Sequence, residues 1–166
     1  MRHKSPRAAL AAAAAAAALV VGAAMGAERF LGIVPCALCL LERWPWRVAV
    51  VVAVAGLLVP RRLGWIALAL AGFAVAVGAV FAATHVGVEA HFWPSPLPEC
   101  ATPPFAGGSV ADMLAHLPAR PAKPCDAPTY IIPWLPVSTA MMNLLASLAY
   151  VGWIWRAVAR HRSYWR

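Results

Sequence analysis

Residues 35–60 read PCALCLLERWPWRVAVVVAVAGLLVP, and the interpretation of this stretch decides the fold. From residue 36 to 59 it is apolar except for Glu42, Arg43 and Arg47 near its start. A helix rises about 1.5 Å per residue and needs about 20 apolar residues to cross the hydrocarbon core of a bilayer. Three other segments have similar length and character, at about 8–27, 65–83 and 137–155. The expected fold is an all-α membrane protein: one domain over residues 1–166, built as a four-helix transmembrane bundle. Gly56, Gly72, Gly78 and many alanines would let such helices approach closely.

Composition points the same way. Of 166 residues, 63% are hydrophobic and 12% charged, against about 25% charged in ordinary soluble domains. The formal charge of +8 is arranged as a topology signal, not as a nucleic-acid surface. Arg2, Lys4 and Arg7 mark one terminus, Arg156, Arg160, Arg162 and Arg166 the other, and Arg61-Arg62 a short turn. Cations gather in short cytoplasmic loops, so both termini and that turn are expected in the cytoplasm. The first segment has a basic start and small residues near Ala27, as a signal peptide would. Its apolar run is longer than the roughly 7–15 residues of a signal core, so it is expected to stay as a helix.

Two regions then face outward, about 28–35 and 85–136. The second carries eleven of the fifteen prolines. Loops of this length are usually functional or disordered. Within it, residues 109–117 (SVADMLAHL) suggest a short amphipathic helix, with Ser109 as N-cap and Val110, Met113, Leu114 and Leu117 as an apolar stripe. His116 has no expected role. Trp44, Trp46, Phe92 and Trp93 are expected as an interfacial aromatic belt.

All four cysteines, Cys36, Cys39, Cys100 and Cys125, fall in or beside the outward regions, where disulfides persist. Two structural disulfides are one reading. A bridge between Cys36 and Cys39 would close almost no loop and so remove little chain entropy. A four-thiolate zinc site is another, but it favours two tight pairs, and 24 residues separate Cys100 from Cys125. A redox-active CxxC explains the pattern better, because a helix start and a nearby cation favour thiolate. Pro35 suits the first helical position, which places Cys36, Cys39 and Arg43 along one stripe. Counting back from Pro60 sets Cys39 and Arg43 near the outer interface, a depth that suits a lipid-soluble electron acceptor. Arg43 would hold a carbonyl oxygen of that acceptor, or anchor the helix by snorkelling. Glu42 is expected to face headgroups or pair with Arg47, and Pro45 to kink the helix. His85 and Glu89, four apart at the outward end of the third span, would border the acceptor site and help move protons, or form a solvent-facing pair.

With CALCLLER at 36–43, HVGVEAHFWPSPLPEC at 85–100 and PCD at 124–126, the whole chain resembles the disulfide-bond formation protein B (DsbB) family. That resemblance implies a quinone-linked thiol oxidase of the bacterial inner membrane, with its cysteines facing the periplasm. It implies that Cys36 and Cys39 form the quinone-coupled pair and that Arg43 contacts the quinone. It implies that Cys100 and Cys125 exchange with a soluble, thioredoxin-fold DsbA-like oxidase. The cofactor would be a non-covalent ubiquinone or menaquinone, the partners the DsbA-like oxidase, the quinone pool and membrane lipids, with no metal and no nucleic acid. A quinone reductase of the vitamin K epoxide reductase type is less consistent, because there the loop cysteines usually precede the CxxC. A membrane scaffold with two structural disulfides is the non-enzymatic alternative.

Overall fold

The computed structural model describes residues 6–100, 123–131 and 134–163. Four long helices form, and no strand is present among the described residues: α1 (Pro6–Leu31), α2 (Ala37–Leu58), α3 (Arg61–Glu89) and α4 (Thr139–Ser163). Helices α1 and α3 are long and apolar enough to cross a membrane. The segment expected as a short amphipathic helix, 109–117, lies outside the described residues.

The helices outrun the apolar segments, because polar residues at their ends are good helix formers or caps. Helix α1 continues through Glu28 and Arg29, and α4 through Arg156 and Arg160. Ser138 starts α4 by accepting the Met141 N–H on its hydroxyl at 3.2 Å. Helix α3 carries His85 and Glu89 inside its last turns. It ends where His91 adopts φ 57°, with Phe92 N–H donating to Gly87 O at 2.9 Å and His91 N–H to Val88 O at 3.1 Å. Those two bonds are the Schellman arrangement that satisfies the last carbonyls of a helix. Pro35 does not open α2 as expected. Cys36 takes an extended backbone as the N-cap, because its sulfur accepts the Cys39 N–H at 3.2 Å, and helical geometry begins at Ala37.

Helix α3 packs against the other three, and α1 packs chiefly on α2. Each of the first three helices offers a stripe at i, i+3 and i+7: Leu10, Ala13 and Ala17; Trp46, Ala49 and Ala53; Leu68, Ala71 and Val75. Tyr150 and Ile154 complete this core from α4. Alanine at most contact positions brings the backbones close, so cohesion comes from many short-range dispersion contacts. The large apolar side chains point outward instead, among them Leu19, Val51, Phe73, Leu148 and Trp155. Glycine supplies the closest approaches. A Cβ on Gly78 would lie 2.8 Å from Pro45 Cβ, so the Pro45 ring of α2 is seated on a gap in α3.

The residues expected as an aromatic belt differ in exposure. Trp44 and Phe92 are exposed, but Trp46 is buried, edge-on to Tyr150 with ring centroids 5.2 Å apart. Its indole N–H needs a partner when desolvated, and Asn143 Oδ1 accepts it at 2.9 Å. Trp93 lies over Gly87 and donates its indole N–H to Thr84 O at 3.1 Å.

Candidate functional site

The site forms where the start of α2 meets the end of α3. Cys36 and Cys39 are free thiols with sulfurs 2.9 Å apart, Cys36 buried and Cys39 partly exposed. As N-cap, the Cys36 sulfur sits among the unpaired N–H groups of the helix start, where negative charge is favoured. A small approach of the two sulfurs would close a disulfide.

Three side chains from three helices gather behind Cys36. His85 of α3 is buried, at 2% exposure, with Nε2 3.5 Å from the Cys36 sulfur. Its Nδ1 lies 2.7 Å from Oε1 of Glu42, which is only 5% exposed. Asn143 of α4 donates its amide N–H to Glu42 Oε2 at 2.6 Å. Glu42 therefore neither faces headgroups nor pairs with Arg47. Its place on the Trp46 side of α2 turns it inward, and a carboxylate there requires donors to offset desolvation; His85 and Asn143 supply them. The Arg47 guanidinium instead lies 5.4 Å from the ring centre of Trp44.

Glu89, one turn beyond His85, has Oε1 4.0 Å from His85 Nε2, and its other oxygen accepts the Ser138 hydroxyl. Of the two arrangements expected for His85 and Glu89, the solvent-facing pair does not form: their side chains are 2% and 9% exposed. On the opposite side of α2, Arg43 makes an ion pair with Glu28 of α1, Nη2 to Oε1 2.5 Å. The arginine side chain is 11% exposed and the glutamate 30%.

Cys100 and Cys125 form a disulfide that joins the 3₁₀ turn Pro98–Cys100 to the segment before α4. Both are buried, in one cluster with Cys36, Leu38 and Val88. The two cysteine pairs therefore meet in one cluster, with Cys39 packed against it.

Cys36, Cys39 and His85 place three donor atoms within 4.8 Å of one another, a set that a soft cation takes in kind. The 2.9 Å sulfur separation is shorter than the roughly 3.8 Å between two thiolates on tetrahedral zinc with Zn–S near 2.3 Å.

A family model for disulfide bond formation protein DsbB matches residues 6–157. The chain belongs to the DsbB family. Membership brings disulfide-bond formation and membrane association with it. No curated relative and no solved structure matched the chain.

For this DsbB family chain, sequence reasoning missed Glu42, Trp46 and Asn143 as parts of the site. A signal existed for Asn143, which is a polar residue inside an apolar segment. Such residues mark functional positions in membrane helices.

Proposed function

We propose that this DsbB family protein is a membrane thiol:quinone oxidoreductase. In this reading it sits in the bacterial inner membrane as a four-span bundle over residues 1–166, with both termini cytoplasmic and the cysteines facing the periplasm. It reoxidises a DsbA-like, thioredoxin-fold disulfide donor and passes two electrons to ubiquinone or menaquinone. The observation that carries the proposal is that Cys36 and the Cys100–Cys125 disulfide share one buried cluster, with Cys39 packed against it and Arg43 one turn further along α2.

The exchange runs in series, each thiolate attacking a disulfide sulfur. A partner thiolate attacks Cys100, the Cys100–Cys125 bond breaks, and Cys125 leaves as thiolate. The second partner thiol resolves the mixed disulfide. Cys125 attacks Cys36, the Cys36–Cys39 bond breaks, and Cys39 leaves as thiolate. Cys100 then attacks Cys125, which restores the loop disulfide and releases Cys36. At that point the loop pair is oxidised and the CxxC is reduced.

A quinone, when bound, takes the two electrons and two protons released as the Cys36–Cys39 disulfide closes again. The chain offers groups suited to it. Arg43 is a largely shielded guanidinium one turn from Cys39, flanked on α2 by exposed Leu40 and Trp44. A charged donor on an apolar surface fits a carbonyl-bearing, lipid-soluble ring. His85 and Glu89 border the site from α3 and would move protons.

The test is quinone consumption by the purified protein in detergent, supplied with a reduced DsbA-like partner. Consumption that disappears in Cys39→Ser is expected. No consumption with either quinone type would reject the proposal.

A further inference from the structure

We propose that Glu42, held by Asn143 and Trp46, fixes His85 as the proton acceptor of the Cys36 thiol. The assignment rests on the oxidoreductase reading above and gives that reaction a base.

The direction of every hydrogen bond follows from one residue. The indole of Trp46 can only donate, so the group facing it at 2.9 Å is the carbonyl oxygen of Asn143. The amide nitrogen of Asn143 then faces Glu42 Oε2 at 2.6 Å as a donor. The second carboxylate oxygen of Glu42, 2.7 Å from His85 Nδ1, is an acceptor and holds the proton on Nδ1. In neutral imidazole the other nitrogen must then carry a lone pair. That nitrogen is Nε2, and it points at the Cys36 sulfur from 3.5 Å. The chain Trp46–Asn143–Glu42–His85–Cys36 therefore has a single sense, set by a group that cannot reverse. It draws on α2, α3 and α4 and is almost entirely shielded from solvent.

The chemistry balances as a proton transfer. The Cys36 S–H bond breaks, its proton moves to His85 Nε2, and the electron pair stays on sulfur as a thiolate. The imidazolium so formed is hydrogen-bonded to the Glu42 carboxylate. When the Cys36–Cys39 bond forms and its two electrons pass to the quinone of the proposed reaction, Cys36 gives up its charge and the Nε2 proton is released on the side of Glu89, whose Oε1 is 4.0 Å away. The titratable groups facing His85 are Cys36, Cys39 and Glu42 from the start of α2 and Glu89 from its own helix. Asn143 joins through Glu42, and Ser138 through Glu89. His85 touches the reacting sulfur and is a catalytic residue; Glu42, Asn143 and Trp46 are positioning residues.

The test needs neither quinone nor partner. In the full chain carrying Cys39→Ser, Cys100→Ser and Cys125→Ser, Cys36 is the only thiol, and its alkylation by iodoacetamide is followed by mass spectrometry. His85→Gln is expected to slow alkylation at pH 7 about tenfold, the effect of a one-unit change in thiol ionisation, and to have little effect at pH 10. Glu42→Gln should slow it in the same pH-dependent way, because a glutamine cannot accept from both His85 and Asn143. Trp46→Phe, which keeps the ring and deletes the donor, should give a smaller loss of the same form and serves if a charge-site variant fails to fold. Rates equal to the parent at pH 7 in the folded variants, or losses equal at pH 7 and pH 10, would overturn the proposal. If the native chain consumes no quinone yet alkylation shows the pH-dependent loss, the oxidase reading fails and the Cys36–His85 pairing stands. The opposite result removes only the pairing.

Discussion

Glu28 and Arg43 close the gap between the last turn of α1 and the first turns of α2 with an ion pair of 2.5 Å. The pair occupies the guanidinium that the proposed function assigns to a quinone carbonyl. A carboxylate and a carbonyl oxygen would compete for the same donors, so the two ends of this bridge have opposite expected effects on quinone use.

Arg43→Ala should raise the quinone KM at least about tenfold, since hydrogen bonds to a charged group contribute about 1.5–3 kcal/mol. The KM for the DsbA-like partner should stay unchanged. Steady-state kinetics with each substrate varied in turn checks this, and an effect on the partner KM alone would contradict it.

Glu28→Gln should lower the quinone KM, because the competitor for Arg43 loses its charge. It should also cost about 1–3 kcal/mol of stability, because a largely shielded, charge-assisted hydrogen bond is weakened. Thermal unfolding in detergent beside the kinetics separates the two effects. A raised KM would mean that the glutamate orients Arg43 instead of competing with the ring.

Cys125→Ser should trap the partner. With no Cys100–Cys125 disulfide left to attack, the complex forms from the oxidised DsbA-like partner: the Cys100 thiolate attacks the partner disulfide, one partner cysteine leaves as thiolate, and the mixed disulfide, with no Cys125 to displace it, runs as one band on a non-reducing gel. A complex formed through Cys36 or Cys39 instead would assign the entry point to the CxxC.

Gly78→Val should destabilise the bundle by about 1–3 kcal/mol, the usual cost of overfilling a packed contact. The Cβ would meet the Pro45 ring at 2.8 Å, and a proline ring cannot swing aside. Gly22→Ala is the control. Nothing lies within 4 Å of its Cβ, so it should be neutral or stabilise by up to about 1 kcal/mol through helix propensity. Melting temperatures of the two variants in one detergent decide the matter.

The helices and the dithiol were legible because their signals are local. Apolar length needs only a run of residues, and the CxxC–Glu–Arg pattern lies within two turns. Glu42 was misread because its near neighbours in sequence, Arg43 and Arg47, look like its partners. Its true partners are 43 and 101 residues away. Trp46 misled for a related reason. Tryptophan near a membrane-helix end is usually interfacial, and nothing short of the Tyr150 and Asn143 contacts moves it inside. Helix α3 runs beyond the apolar span at 65–83, because the backbone ladder continues to a stop set by the conformation of His91.

One atom does two jobs at the start of α2. The Cys36 sulfur is the chemical handle of the dithiol and also the acceptor that covers the Cys39 N–H. Each time that sulfur changes its bonding partner, the helix start is capped anew or left bare, at a cost on the order of 1 kcal/mol for a lost cap. The oxidation state of the protein should therefore be written into how fast one backbone amide trades its hydrogen for deuterium. The first turn of a helix becomes a gauge of where the electrons are.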